Sequence, residues 1–243
     1  MDNIENITLS IYVPCFNEEN NIISTLNRIK ETVQHISYEM IVVDDGSEDK
    51  TIEMIEKFKK DNPNLNIKII CNEKKLGIGF NHRAAARKAS GKYYMMITGD
   101  ADEPADEIKK IVNNIGKADM ILTYLIDKRG VARTVLSKIF FFIINLITLN
   151  NIKYYNGPNI HLLENVKLYS GRRSGFGYQA ELVTAQLREK KTYIEVEISP
   201  VSSPLEKLEL LGLLRKLPSV TASVISIFFN QIIHKLKKIL KIK

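Results

Sequence analysis

The sequence predicts an α/β fold, a mostly parallel sheet flanked by helices, with a helical and basic tail. Three observations predict it. Apolar, β-branched runs alternate with helix-periodic segments at about 30-residue spacing through the first hundred residues, the pattern of right-handed βαβ units. Three of these runs stop in polar tips: Asn17 with Glu18, Asp44 with Asp45, and Asp100 with Asp102. From Pro218 onward the chain has five lysines and no acid.

Residues 7–13 (ITLSIYV) form the first strand, stopped by Pro14. Asn20 caps the next helix, whose apolar positions Ile22, Ile23, Leu26, Ile29 and Val33 recur at helical spacing. Residues 40–43 are a buried strand ending in Asp44-Asp45-Gly46-Ser47, and a second helix covers residues 50–60 before Pro63. Residues 67–71 are the third strand; Lys74-Lys75-Leu76-Gly77-Ile78-Gly79 then opens an alanine-rich helix ending near Gly91. The fourth strand begins at Tyr93 and ends in Gly99 and the acids. A helix over residues 104–115 has Pro104 at its start, where a missing N–H costs nothing, and residues 118–124 are the fifth strand.

Residues 131–149 predict a helix whose apolar centre of about 14 residues falls short of the ~20 needed to span a bilayer. A buried helix and an interfacial helix both fit, the latter because Arg129, Arg133 and Lys138 flank one end. Residues 154–160 are a turn into a short strand, a helix then runs to about Lys190, and residues 192–198 (TYIEVEI) alternate as a strand. Pro200 and Pro204 frame a loop, which divides a main domain of residues 1–204 from a tail of residues 205–243. The tail reads as a leucine-rich helix to Leu217, an apolar stretch over 219–233, and a lysine-rich end. On a helix, Ile232, Leu236, Ile239 and Leu240 fall on one side and lysines on the other. That pattern suits an anionic membrane surface, or a helix packed on the body or on a partner subunit.

With 44% hydrophobic and 26% charged residues, the chain is an ordinary globular one able to bury a full core. Its net charge of +7 is compatible with nucleic acid, a membrane surface or phosphorylated substrates. Zinc-finger and RNP1 patterns are absent, so no nucleic-acid partner is expected. Cys15 and Cys71 each end an apolar run and read as buried thiols. With no Cys or His pair at zinc spacing, a reduced, cytosolic compartment without structural metal is expected. His35, His82, His161 and His234 are scattered. Met1-Asp2-Asn3-Ile4-Glu5 lacks a basic region and an apolar core, so no secretory signal is expected.

The chemistry concentrates at Asp100-Ala101-Asp102-Glu103. Close carboxylates repel one another, and two readings account for them. One is a solvated turn opening the next helix, since acids favour a helix N-terminus. The other is a site for Mg²⁺ or Mn²⁺, held by one or two carboxylates plus the phosphates of a substrate. Ligands of an open parallel sheet bind beyond the carboxyl ends of its strands. The three polar tips therefore meet in one crevice, which favours the metal reading.

Four motifs together give a resemblance: Val13-Pro14-Cys15-Phe16-Asn17-Glu18, Ile41-Val42-Val43-Asp44-Asp45-Gly46-Ser47, Lys75-Leu76-Gly77-Ile78-Gly79 and Asp100-Ala101-Asp102. In order and spacing the chain resembles family 2 glycosyltransferases of the GT-A fold over roughly residues 8–200. Within them it is similar to the dolichyl- and polyprenyl-phosphate mannosyltransferase-like enzymes. Gly77-Ile78-Gly79 alone suggests a dinucleotide site, but it follows the third strand and lacks a third glycine.

The resemblance implies roles. Pro14, Phe16 and Glu18 match the first nucleotide-contacting strand end, and Val43 and Asp45 the positions that hold base and ribose. Asp100-Ala101-Asp102 matches the DxD motif, which binds a sugar nucleotide's diphosphate through Mg²⁺ or Mn²⁺. Gln179 and Glu181 resemble the acidic site after a Gly-aromatic segment, and Lys207 a late lysine of the family. The family inverts the anomeric centre by direct displacement. Two departures stand out. Pro104 replaces a metal-ligating Gln, so either Glu103 joins Asp100 and Asp102 as a metal ligand or the metal takes more water. Tyr124 follows Thr123 where relatives carry an Arg, leaving Arg129 and Arg133 as the nearest cations for phosphate.

The acceptor follows from acid–base chemistry. A polyprenyl phosphate is already anionic near neutrality and needs orienting cations, not a base. A sugar hydroxyl needs a carboxylate base, for which Glu181 is the candidate. Three expectations result. The first is a glycosyltransferase moving a sugar from a GDP- or UDP-sugar to polyprenyl phosphate at the cytoplasmic face of a membrane, peripheral or monotopic. The second is a glycosyltransferase extending a glycan or glycolipid. The third is a non-catalytic nucleotide-sugar-binding protein.

Overall fold

The computed structural model describes residues 6–100, 103–125, 131–171, 175, 177–199 and 206–240, apart from the side chains of 131–133 and 206–216. In chain order the elements are β1 (Leu9–Cys15), α1 (Ile22–Val33), β2 (Tyr38–Asp44), α2 (Thr51–Asp61), β3 (Ile67–Cys71), α3 (Ile78–Lys88), β4 (Tyr93–Met96) and α4 (Ala105–Val112). They continue as β5 (Met120–Leu125), α5 (Val131–Thr148), β6 (Ile160–Leu162), α6 (Leu163–Leu168), α7 (Tyr178–Arg188), β7 (Tyr193–Ile198) and α8 (Glu206–Leu240). The strands make one seven-stranded sheet in the order β3-β2-β1-β4-β6-β5-β7. β6 runs antiparallel to both of its neighbours, and the other pairings are parallel. The expected α/β architecture is therefore present.

Strand alternation distributes the core. Leu9, Ile11 and Val13 of β1 enter one layer with Ile22, Leu26, Ile29 and Val33 of α1, all fully buried. The α1 residues recur every three or four positions, which is why this segment coils and presents one face. Burying each such side chain contributes about 1.5–3 kcal/mol, and Leu26→Asp would place an unpaired charge in that layer. Tyr12, between these β1 positions, faces the opposite layer, built on Val43, Tyr94, Ala85, Ala86, Tyr178 and Leu182. A third cluster joins Met120 and Leu122 of β5 to Phe141 and Ile144 of α5, Val183 of α7 and Ile227 of α8. It seats α5 and α8 on one flank of the sheet.

Several expectations are corrected. The tail is one continuous 35-residue helix with Pro218 inside it, not two segments. Proline weakens a helix by removing one bond, and here packing against the start of α7 compensates. Ser223 is buried, and a Cβ on Gly177 would lie 2.3 Å from the Ser223 Cβ, so only glycine admits this approach. Asn21, not Asn20, occupies the N-cap of α1, and its side chain donates to Glu18 instead of capping. Cys71 is exposed because β3 is the sheet edge, whereas Cys15 is buried. Pro104 is the N-cap residue of α4, which is eight residues long. The six-residue α6 was too short for its periodicity to be read.

Candidate active site

The first two strand tips are tied together by side chains bonded to backbone. Asn17 has a positive φ of 57° and accepts the Glu48 N–H through Oδ1. The Asn17 N–H donates to Ser47 Oγ, and the Glu18 N–H to Thr51 Oγ1. Asp44 is fully buried and accepts the N–H groups of Gly46 and Ser47, so it shapes the turn and is withheld from any ligand. The Pro14 carbonyl accepts the Gly99 N–H at 3.0 Å, beyond the last β1–β4 pair. Gly99 is required there by close approach, since a Cβ would sit 2.9 Å from the Pro14 oxygen.

Asp45 is buried, and its carboxylate accepts from the N–H groups of Leu76 and Gly77 and from Asn72 Nδ2. Burial raises its pKa, but these bonds and Asn81 outweigh that and hold it below the usual carboxylate range. Asp45 thereby fixes the loop between β3 and α3. Val43 is fully buried and offers a ligand only its backbone. Phe16 is 37% exposed at the mouth, with the Lys75 ammonium 3.7 Å from its ring centroid. This contact lies within cation–π range.

At the end of β4 the Thr98 hydroxyl lies 2.6 Å from Asp100 Oδ1 and 3.1 and 3.2 Å from the Glu103 oxygens. Its single proton serves one acceptor at a time, so Thr98 bridges the two acids. Arg28 of α1 donates from Nη1 to the Glu103 carbonyl at 2.8 Å. Burial raises the Glu18 pKa; the Asn21 hydrogen bond opposes this, and the Asp100 charge adds to the rise. Glu18 and Asp100 thus feel each other across the crevice. Ala101 and Asp102 lie outside the described residues, as does Arg129. Among the described residues no three His, Cys, Asp or Glu side chains are grouped to hold a metal. The paired acids Asp100 and Glu103 nevertheless suit a cation such as Mg²⁺ or Mn²⁺, which takes one or two protein carboxylates and completes its shell with water and phosphate.

The α7 residues stand on a different support. Gln179 is buried, and its Oε1 accepts the Gly157 N–H at 3.0 Å, bracing the turn before β6. Glu181 is buried, and its Oε2 accepts from the Tyr169 and Ser226 hydroxyls, each at 3.1 Å. Between α7 and β1, His82 packs among Tyr12, Tyr94 and Tyr178 with ring centroids 4.9–5.7 Å apart. Burial holds His82 neutral, well below its ordinary pKa. The side chains of Arg133 and Lys207, on α5 and α8, lie outside the described residues. Thr98, Arg28 and Lys75 were missed as site residues. Thr98 sits two residues before Asp100 but has no motif to mark it, and Arg28, on α1, is brought to the acids only by the fold.

Comparison with known proteins places this chain in a family. A model of "Glycosyl transferase family 2" matches residues 10–174. The dolichyl-phosphate beta-glucosyltransferase of Dictyostelium discoideum is 28% identical over 170 residues, 62% of this chain and 52% of that protein. The dolichol-phosphate mannosyltransferase of Pyrococcus furiosus is 29% identical over 107 residues, 44% of this chain and 30% of that protein. The chain thus spans about half or less of the length of these relatives. The crystal structure of glucosyl-3-phosphoglycerate synthase from Mycobacterium tuberculosis, in complex with Mn²⁺, uridine diphosphate and glucosyl-3-phosphoglycerate, superposes with a TM-score of 0.68. That match has 17% identity and covers 93% of this chain and 80% of the other, which establishes a shared GT-A fold.

Proposed function

The chain belongs to glycosyl transferase family 2, and from that membership we propose that it transfers a sugar from a UDP- or GDP-sugar to polyprenyl phosphate at a membrane surface, inverting the anomeric centre. The observation that carries this reading is the pairing of Asp100 and Glu103 through Thr98 at the end of β4, opposite Glu18. The relatives named for dolichyl-phosphate sugar transfer and the synthase crystallised with Mn²⁺ and uridine diphosphate support it.

In this reading Pro14, Phe16, Val43 and Asp45 frame the nucleoside. Phe16 offers its exposed ring to the base, and Asp45 keeps the β3–α3 loop in place. Asp100, Asp102 and Glu103 would hold Mg²⁺ or Mn²⁺ for the donor's diphosphate. When bound, the metal supplies Lewis-acid stabilisation of the charge that grows on the leaving diphosphate. Arg129, Arg133 and Lys207 are the cations offered to the acceptor phosphate. That phosphate needs no base because its second pKa is about 6. Gln179 braces the acceptor side.

The tail from residue 205 is the membrane-associating part. On α8, residues 217–240 are long and apolar enough to cross a bilayer, yet Ser223 and Ile227 are buried on the body. A helix tied to the body at these two positions favours lying on the membrane surface over spanning it.

The test is transfer of radiolabelled sugar from a panel of UDP- and GDP-sugars to polyprenyl phosphate in anionic vesicles with Mn²⁺. Lipid-extractable label is expected; donor binding without any lipid-linked product would overturn the acceptor assignment. A second reading, transfer to a sugar hydroxyl, is favoured by the burial of Glu181 and its two hydroxyl partners. Under it, Glu181→Gln abolishes transfer while donor binding survives. Under the lipid-phosphate reading, the same variant keeps most of its activity.

A further inference from the structure

Helix α1 has a buried face and a polar one. Ile22, Leu26, Ile29 and Val33 are fully buried and lock it against the sheet. Asn21, Thr25 and Arg28 follow one another by four and then three positions, the spacing that lines side chains up along a helix. Each of the three holds one part of the strand-tip site. Asn21 Nδ2 donates to Glu18 Oε2 at 2.9 Å. The buried Thr25 hydroxyl donates to the Gly99 carbonyl at 3.1 Å. Arg28 Nη1 donates to the Glu103 carbonyl at 2.8 Å.

The two carbonyls bracket the acids, since Gly99 precedes Asp100 and Glu103 is the last carboxylate of the run. Gly99 is fastened on both sides, to Pro14 of β1 through its N–H and to α1 through its carbonyl. Between these two fixed points Asp100 and Glu103 share the Thr98 hydroxyl. Like charges so placed repel, and the repulsion works to open the turn. A helix anchored in the core is a more accurate reference for such a site than a loop is. Through its one polar face α1 holds Glu18 at the first strand tip and the acid turn at the fourth, so it sets their separation.

We propose that Thr25 and Arg28 are positioning residues, which hold the acid turn in the arrangement that accepts Mg²⁺ or Mn²⁺ together with the donor's diphosphate. This role rests on the metal–diphosphate reading given above and adds to it the element that sets metal affinity. Groups that orient ligating carboxylates control metal affinity by about ten- to a hundredfold. Arg28 acts here through a backbone carbonyl, so its effect is geometric. A cation acting only as a counter-charge would have the opposite effect, because its removal makes the acids more attractive to a metal.

The test is Mn²⁺ titration of the full chain with uridine or guanosine diphosphate present, read by the electron paramagnetic resonance of free Mn²⁺. Arg28→Met should weaken Mn²⁺ binding at least about tenfold. Arg28→Lys keeps a donor without the guanidinium fork and should recover part of that loss. Thr25→Val keeps the shape and loses one hydrogen bond, which should weaken Mn²⁺ about three- to tenfold. Each variant should keep a cooperative thermal melt without metal; if Arg28→Met loses it, Thr25→Val and Arg28→Lys decide by the same criterion. Mn²⁺ bound by the folded variants as tightly as by the wild type, or more tightly, overturns the proposal and leaves the metal reading standing. A wild-type chain that takes up no Mn²⁺ with either diphosphate overturns the metal reading itself, and the role of α1 with it.

Discussion

The strand tips and the α5–α8 flank are opposites. At the tips, polar side chains are spent on backbone groups: Asp44 on its own turn, Asp45 on the loop before α3, Asn17 and Ser47 on each other's segments. On the flank, apolar side chains face outward. Val135, Ile139, Phe142 and Leu146 of α5 and Ile225, Phe228, Ile232 and Leu236 of α8 are exposed at helical spacing. Monomeric soluble proteins rarely leave contiguous apolar stripes uncovered, and such stripes mark an interaction surface. One region is completed by its own chain and built for positional accuracy; the other leaves an apolar surface uncovered by the described residues.

Four measurements break or sharpen this contrast, from the largest effect down. The polar half of the sheet is also braced at its other end, where Glu39, fully buried, accepts from Ser10 and the Ser90 N–H and pairs with Lys68 at 2.6 Å. Glu39→Ala strands those donors and should cost about 3–5 kcal/mol in urea unfolding. A loss below about 1 kcal/mol would mean that the sheet does not depend on this network.

His161 is next. Burial lowers its pKa from 6.5 to about 4, against the raising hydrogen bond from Gln186. The unfolded chain then binds a proton that the folded chain refuses. Stability is full above pH 6.5 and falls by roughly 3 kcal/mol as pH drops to 4. His161→Met should flatten that part of the pH profile, and an unchanged slope would assign the loss to other groups.

At the acid tip, Asp100→Asn should lower sugar transfer at least about a hundredfold with the melting temperature unchanged, since removing one stabiliser of developing charge has effects of that size. Retained transfer would detach the acids from the chemistry. The smallest effect belongs to the flank. Each of Lys235, Lys237 and Lys238 changed to Gln should weaken sedimentation with anionic vesicles about fivefold at low salt, from roughly 1 kcal/mol per cation near a charged surface. Phe228→Asp with Ile232→Asp should abolish it without altering the urea midpoint. Wild-type binding to neutral vesicles alone would remove the electrostatic part.

The same contrast explains what could be read from the sequence. Strand tips are local: a β-branched run, a stop and an acid sit together in the chain, so Glu18, Asp45 and Asp100 were legible with their strands. Which atoms those acids engage was not, because the Asp45 partners come from residues 72–77, a strand later. Glu103 was singled out from the proline after it, but its link to Thr98, five residues earlier, needed the side-chain geometry of the turn. The apolar stripe of α8 was visible as periodicity. Its unbroken path through Pro218 was not, since local propensity argued for a stop and long-range packing on α7 decided otherwise.

β6, the antiparallel strand wedged between β4 and β5, has a consequence for how the chain is made. The four strands β3-β2-β1-β4 come from consecutive segments that end at residue 96, so their pairing needs no later part of the chain. Until residues 160–162 arrive, β4 is an open edge, its backbone groups offered to any passing strand. The wedge closes that edge from more than sixty positions away in sequence, the kind of distant pairing that slows assembly. Pulse-labelled hydrogen exchange should find β1 and β2 protected before β5 and β7. A chain interrupted between residues 97 and 159 should aggregate through β4. The strand that reverses direction is the one that covers the β4 edge.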